Sequence, residues 1–129
     1  MPTDAETTLS TLRQAVAAFV DARDWRPFHT PKNLSMSIAI EAAELMERFQ
    51  WLTPEQAQQA VADPSQRAAV AEELADVLIY CLSLSNALEL DISSAVLDKL
   101  DTNERRYPAH EFRGRFRRPQ RERGAGDGR

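Results

Sequence analysis

EELADVLIYCLSL, residues Glu72 to Leu84, is the stretch that decides the fold. Between Leu74 and Leu84 the lone charge is Asp76, and apolar side chains fall on nearly every side of a helical wheel. A helix that is apolar all round is a buried one, so this segment is read as the centre of a helical bundle. Upstream, Asp63-Pro64-Ser65-Gln66 supplies a capping residue with proline in the first turn, and the helix is expected to run to about Leu90. Downstream, Asp91 caps a last helix to about Arg106, which Pro108 stops. Thr53-Pro54-Glu55-Gln56 is a capping box that opens a short helix. Asn33 is expected to cap a helix reaching about Trp51. The stretch from Arg23 to Lys32, with two prolines and two aromatics, reads as an ordered loop, and Thr7 to Ala22 as the first helix. Alternating patterns and β-branched runs are missing. The expectation is an all-α bundle of about five helices joined by short loops.

The composition narrows the chemistry. A chain of 129 residues with 43% hydrophobic content builds one compact domain. Its single cysteine, Cys81, forms no internal disulfide and no thiolate metal cluster, and is expected to be buried in its apolar run. All four glycines lie at or beyond Gly114, which excludes a P-loop and a Gly-x-Gly-x-x-Gly turn. Phosphate chemistry here must rest on side chains, helix ends or metal ions. The N-terminus is acidic, without the pattern of a signal peptide. The longest uncharged stretch, Val77 to Leu88, is 12 residues, short of the roughly 20 that a membrane span needs. These features predict a soluble cytoplasmic protein with no membrane partner. The net charge of −4 is uneven: residues 111–129 hold seven arginines against three acids, which leaves residues 1–110 at −8. The sequence therefore divides into a domain over 1–110 and an Arg/Gly-rich tail over 111–129 that reads as disordered. The acidic body argues against nucleic acid as a partner.

Two acid pairs break the apolar pattern. In the second helix Leu34, Ile38, Leu45 and Phe49 share a stripe; Glu41 falls in its middle and Glu44 at its edge. In the long helix Glu73 shares a stripe with Val70, Val77, Tyr80 and Leu84, and Asp76 lies one turn on. Four carboxylates turned into one bundle repel each other unless protons or cations intervene. An all-oxygen donor set without His or Cys favours Mg²⁺ or Mn²⁺. The Glu-x-x-His pairs of a di-iron bundle are absent. The competing reading puts these acids on wet faces, paired with Arg48 or Arg67. The last helix sets Lys99, Asn103 and Arg106 on one face, close to Arg105 and Tyr107, which suits either an anion or a solvated helix end. Trp25, Phe28, His29 and Trp51 flank the second helix, as base-stacking rings or as plugs at a core edge, and Tyr80 is expected to turn its hydroxyl toward the acids.

Taken together, Arg23-Asp24-Trp25, Phe28-His29, Asn33-Leu34, Glu41-Ala42-Ala43-Glu44-Leu45 and Phe49-Gln50-Trp51 resemble the MazG-like, all-α nucleoside triphosphate pyrophosphohydrolases. Glu72 to Tyr80 is similar to that family's second signature. Lys99, Asn103 and Arg105-Arg106-Tyr107-Pro108-Ala109-His110 resemble its dCTP pyrophosphatase branch. The resemblance covers about residues 9–110. It implies a four-helix core, assembly into dimers or tetramers, and hydrolysis of a nucleoside triphosphate, dCTP or a modified dNTP, to the monophosphate and pyrophosphate. It implies Mg²⁺ held by Glu41, Glu44, Glu73 and Asp76, with Glu41 or Glu44 acting on the attacking water. It gives the phosphates to Lys99 and Asn103 with Arg106 and Tyr107 nearby, and the nucleoside to Trp25, His29, Trp51 and Tyr80. One position departs: Val16 stands where the dCTP branch is expected to carry a histidine, which weakens the expected preference for cytosine. The alternative function is a non-enzymatic helical scaffold.

Overall fold

The computed structural model describes residues 1–117, so the greater part of the Arg/Gly-rich tail, 118–129, lies outside the described residues. The order is α1 (Leu9–Asp21), a single 3₁₀ turn (Arg26–Phe28), α2 (Pro31–Glu47), α3 (Pro54–Ala60), α4 (Pro64–Ala87), α5 (Ile92–Arg106) and α6 (Ala109–Phe112). There is no strand among the described residues. The chain forms two units, Met1–Asp91 and Ile92–Arg129.

Helix starts follow local side-chain chemistry. Thr8, Thr30, Thr53 and Asp63 each accept a bond from the backbone N–H three residues on. Thr53 and Gln56 complete the expected capping box, Gln56 Oε1 accepting from Thr53 N at 2.9 Å. Pro31, Pro54 and Pro64 occupy first-turn positions, where a missing N–H costs nothing. One expectation is corrected: Thr30, not Asn33, caps α2, and Asn33 donates its side-chain amide to the Phe28 carbonyl at 3.0 Å. The Thr-Pro pair at 30–31 repeats the signal at 53–54, and it outranks the asparagine.

In the first unit α4 packs chiefly against α2 and secondarily against α1. Among the described residues Val20, Leu34 and Leu82 are the buried apolar ones, Leu34 completely so, joined by Ser83 and Ser85. The stripe read from the sequence of α2 is the covered one: Leu34 is buried, and Ile38, Glu41, Leu45 and Phe49 are half-buried. On α4 Val70, Glu73, Val77, Tyr80 and Leu84 are half-buried, while Leu74, Leu78 and Ile79 stay exposed. The helix expected to be apolar on all sides and buried is therefore covered on one side only, and Cys81 is half-buried. A reciprocal clasp ties α1 to the end of α4. Arg13 donates Nε to Asn86 Oδ1 at 3.0 Å and Nη2 to the Ser85 carbonyl at 3.3 Å, and Asn86 Nδ2 donates back to the Arg13 carbonyl at 3.1 Å.

In the second unit α5 ends at Arg106, before Pro108, as expected. The chain then makes a sixth, one-turn helix beyond the expected five. Its Phe112 meets Tyr107 edge-to-face at 5.2 Å, so ordered packing extends into the segment read as tail.

Candidate active site

Two packed helices carry the acids. α2 brings Glu41 on its covered stripe, and α4 brings Glu73 and Asp76 one turn apart. One carboxylate oxygen from each of the three lies within 4.8 Å of the others. Glu41 Oε2 is buried without a hydrogen-bond partner among the described residues. A buried carboxylate oxygen left unmatched is costly. Burial, then a hydrogen bond with Glu44 and repulsion from Glu44, Asp76 and Glu73, pushes the Glu41 carboxyl up to about 7. Glu44 follows one turn on in α2 and is exposed. The competing ion-pair reading holds for one acid: Arg48 Nη2 approaches Glu73 Oε1 at 3.3 Å. That leaves Glu41 uncompensated. An all-oxygen cluster with one orphaned buried oxygen is the donor chemistry of a hard divalent cation, and the residues present fit one.

The aromatic residues form a chain beside this cluster. Phe19 and Trp25 meet edge-to-face at 5.8 Å, Trp25 and His29 lie 6.3 Å apart, and His29 and Tyr80 lie 6.3 Å apart. Tyr80 sits four residues beyond Asp76 on α4, so the ring chain ends one turn from the acids. His29 has a buried Nδ1 without a hydrogen-bond partner among the described residues. Trp51 stands in the turn after α2 and is 87% exposed. Lys99, Asn103 and Arg106 lie on α5 in the second unit; Asn103 is half-buried, and its carbonyl accepts from Tyr107 N at 2.7 Å. Arg106 lies over the Tyr107 ring at 5.3 Å, and Arg105 pairs with Asp101 at 3.0 Å. The structure thus joins Glu41, Glu73 and Asp76 in one cluster and Trp25, His29 and Tyr80 in one ring chain. A residue passed over in the sequence is Ser83, 6% exposed, whose hydroxyl has no partner. It lies seven residues after Asp76, in a run that also carries Tyr80 and Ser85, so nothing in the sequence singled it out.

A MazG-like family model matches residues 36–116. The chain is 44% identical over 110 residues to dCTP pyrophosphatase 1 of Bos taurus, covering 85% of this chain and 65% of that protein. It is 44% identical over 113 residues to dCTP pyrophosphatase 1 of Homo sapiens, covering 88% and 66% respectively. The chain therefore spans just under two thirds of the length of these relatives. A pyrophosphatase structure from Archaeoglobus fulgidus aligns with a TM-score of 0.74 at 38% identity, covering 84% of this chain and 99% of that one.

Proposed function

Because the chain belongs to the MazG-like family, we propose that it is a nucleoside triphosphate pyrophosphohydrolase. The substrate is a deoxynucleoside triphosphate, dCTP or a base-modified dNTP, and the products are the monophosphate and pyrophosphate. The observation that carries this reading is the three-acid cluster, with its buried and unmatched Glu41 oxygen. A scaffold gains nothing from such a cluster, since an unpaired buried acid only destabilises.

In this reading Glu41, Glu73 and Asp76 hold Mg²⁺, or Mn²⁺, with Glu44 beside them. The ion supplies neutralisation of triphosphate charge and a more acidic bound water. Glu44, exposed and outside the three-acid group, takes the proton of the attacking water. Water adds across the link between the α and β phosphates, and pyrophosphate departs. Arg48 holds Glu73 in place through its 3.3 Å ion pair. Lys99, Asn103, Arg106 and Tyr107 are assigned to the phosphates, and Trp25, His29, Tyr80 and Trp51 to the nucleoside. Phosphoryl transfer needs mainly positioning and charge stabilisation, which fixed helices supply. An enzyme of the nucleotide pool belongs in the cytoplasm. No helix among the described residues is long and apolar enough to cross a membrane.

A second copy of the chain is the proposed protein partner. Ile40 and Met46 on α2 and Leu78 on α4 are each more than half exposed, and in a dimer or tetramer they become interface. Pyrophosphate release from the four dNTPs and from methylated and oxidised analogues, with Mg²⁺ and with excess EDTA, tests the function. The expected result is Mg²⁺-dependent release with a preference for dCTP below about a hundredfold, given Val16. Full turnover in EDTA, or none with Mg²⁺, overturns the reading.

A further inference from the structure

The side chains of α4 stand in a fixed order along its axis. Tyr80, which meets His29 at 6.3 Å, comes last; Asp76 lies one turn back, and Glu73 nearly a turn before that. Positions seven apart share a helix face, about 10 Å apart along the axis, so Tyr80 and Glu73 mark two ends of one row. On α2, Glu41 and Arg48 repeat that spacing, with Glu44 between them. The two helices run in opposite directions: Pro31, first in α2, lines one cavity with Ser83 and Ala87 at the end of α4. Glu41 accordingly joins Glu73 and Asp76, and Arg48, further along α2, reaches Glu73. The rings lie at one end of this row, the acids in its middle and Arg48 at the other end.

Arg48 is the C-cap of α2, where the helix dipole favours a cation. That preference is met equally well by an arginine turned to water. This one turns in to Glu73, whose side chain is 19% exposed, while 39% of its own stays open to solvent. Nη2 makes its one side-chain hydrogen bond among the described residues, at 3.3 Å, longer than a tight charge-assisted contact. A guanidinium carries its N–H donors in a planar fork that matches phosphate oxygens, and most of this fork is left for another anion. Glu41, Glu44, Glu73 and Asp76 also outnumber it. A divalent ion offsets only part of their charge, and a triphosphate brings more of the same sign, so its far end calls for a cation beyond the acids.

We propose that Arg48 binds the β- and γ-phosphates and takes up the charge of the pyrophosphate as it leaves. This rests on the pyrophosphohydrolase reading. With the nucleoside at the Tyr80 end and the α-phosphate over the acids, the remaining phosphates extend toward Arg48. In the reaction the water oxygen bonds to the α-phosphorus and the water proton goes to Glu44. The bond from that phosphorus to the bridging oxygen breaks, and its electron pair stays with the pyrophosphate. Charge therefore grows at the end of the row where the guanidinium stands, and a fixed cation there lowers the barrier. The pair with Glu73 keeps the fork aimed at that end.

The test is calorimetric binding of inorganic pyrophosphate with Mg²⁺, and separately of dCMP, to the full chain in wild type, Arg48→Leu and Arg48→Lys. Titration with Mn²⁺ alone and steady-state kinetics with dCTP accompany it. Arg48→Leu is expected to weaken pyrophosphate about tenfold, to leave dCMP and Mn²⁺ binding within about twofold, and to lower kcat/KM about tenfold or more. Arg48→Lys, which keeps the charge and loses the fork, is expected to recover part of the pyrophosphate affinity. Unchanged pyrophosphate binding in Arg48→Leu overturns the proposal. Equal losses for pyrophosphate, dCMP and Mn²⁺ make Arg48 a support for Glu73 alone and overturn it too. Either result, with a wild type that cleaves dNTPs, leaves the enzymatic reading standing. A wild type that cleaves no dNTP overturns that reading and this proposal together.

Discussion

Glu41 concentrates the chemistry of the molecule in one side chain. Its carboxyl is pushed up to about 7 from 4.5, first by burial and then by its acidic neighbours. A carboxyl raised in this way favours the folded state while it is protonated. That contribution is complete below 4.5 and is lost as the pH rises through about 7. The metal-free protein is therefore expected to melt lower at about pH 8 than at about pH 5.5, and Glu41→Gln should flatten that step. Asp21 and Asp63 are both held below their ordinary value by hydrogen bonds, so they titrate beneath this window. Mg²⁺ binds the ionised form, so it should raise Tm more at the higher pH. The same Glu41→Gln variant should abolish turnover with its helical circular dichroism intact. Melts in EDTA and in Mg²⁺ across pH check all three, and a mutant slope equal to that of wild type rejects the account. Much of this was legible in the sequence, because an acid at the centre of an apolar stripe announces itself. Ser83 was not, since a single serine in a helix is ordinarily satisfied by its own backbone.

Helix starts were on the whole more readable than the stops of α2 and α4, for a reason that lies in the glycines. A helix start is written in side chains, as at Thr53 and Asp63, whereas a stop is most often written as a left-handed glycine. Residues 1–113 contain no glycine. α2 therefore ends at Glu47 and not near Trp51, and α4 ends at Ala87 and not near Leu90, with no sequence mark at either place. The chain turns out of α1 and α4 through Asp24 and Glu89, with φ of 52° and 51°. Leu90 N then closes on the Ser85 carbonyl at 2.9 Å, the bond that ends α4. A glutamate held in this region carries a strain of roughly 1–2 kcal/mol. Glu89→Gly should relieve part of it and stabilise the protein by about 1 kcal/mol, a rise in Tm of roughly 4 °C. A thermal melt of the metal-free protein decides it, and a fall in Tm shows that the Glu89 side chain contributes more than its backbone costs.

At the scale of the whole molecule the covered apolar surface is small for the number of apolar residues. Val20, Leu34 and Leu82 are buried, while Leu74 and Leu78 of α4 remain about half exposed. The sequence marked this helix as central without saying what lies on each side. Periodicity records which positions shun water, and a second copy satisfies them as well as an intramolecular neighbour does. Light scattering should give a mass that is a multiple of the 14.5 kDa chain. Leu78→Asp should shift the population toward the single chain and lower Tm, because it places a charge in the interface. A monomeric wild type rejects the partner assignment.

The clasp between Arg13 and Asn86 bears on how this sequence can change over generations. Each residue satisfies the other twice, by side chain and by backbone. Replacing either one strands polar groups on the other, so a first substitution carries nearly the whole cost and a second adds little. Two positions 73 residues apart in the chain are thereby bound into a single heritable unit. Drift at one closes the neutral paths open to the other, so the seam between α1 and the end of α4 changes by paired steps or not at all.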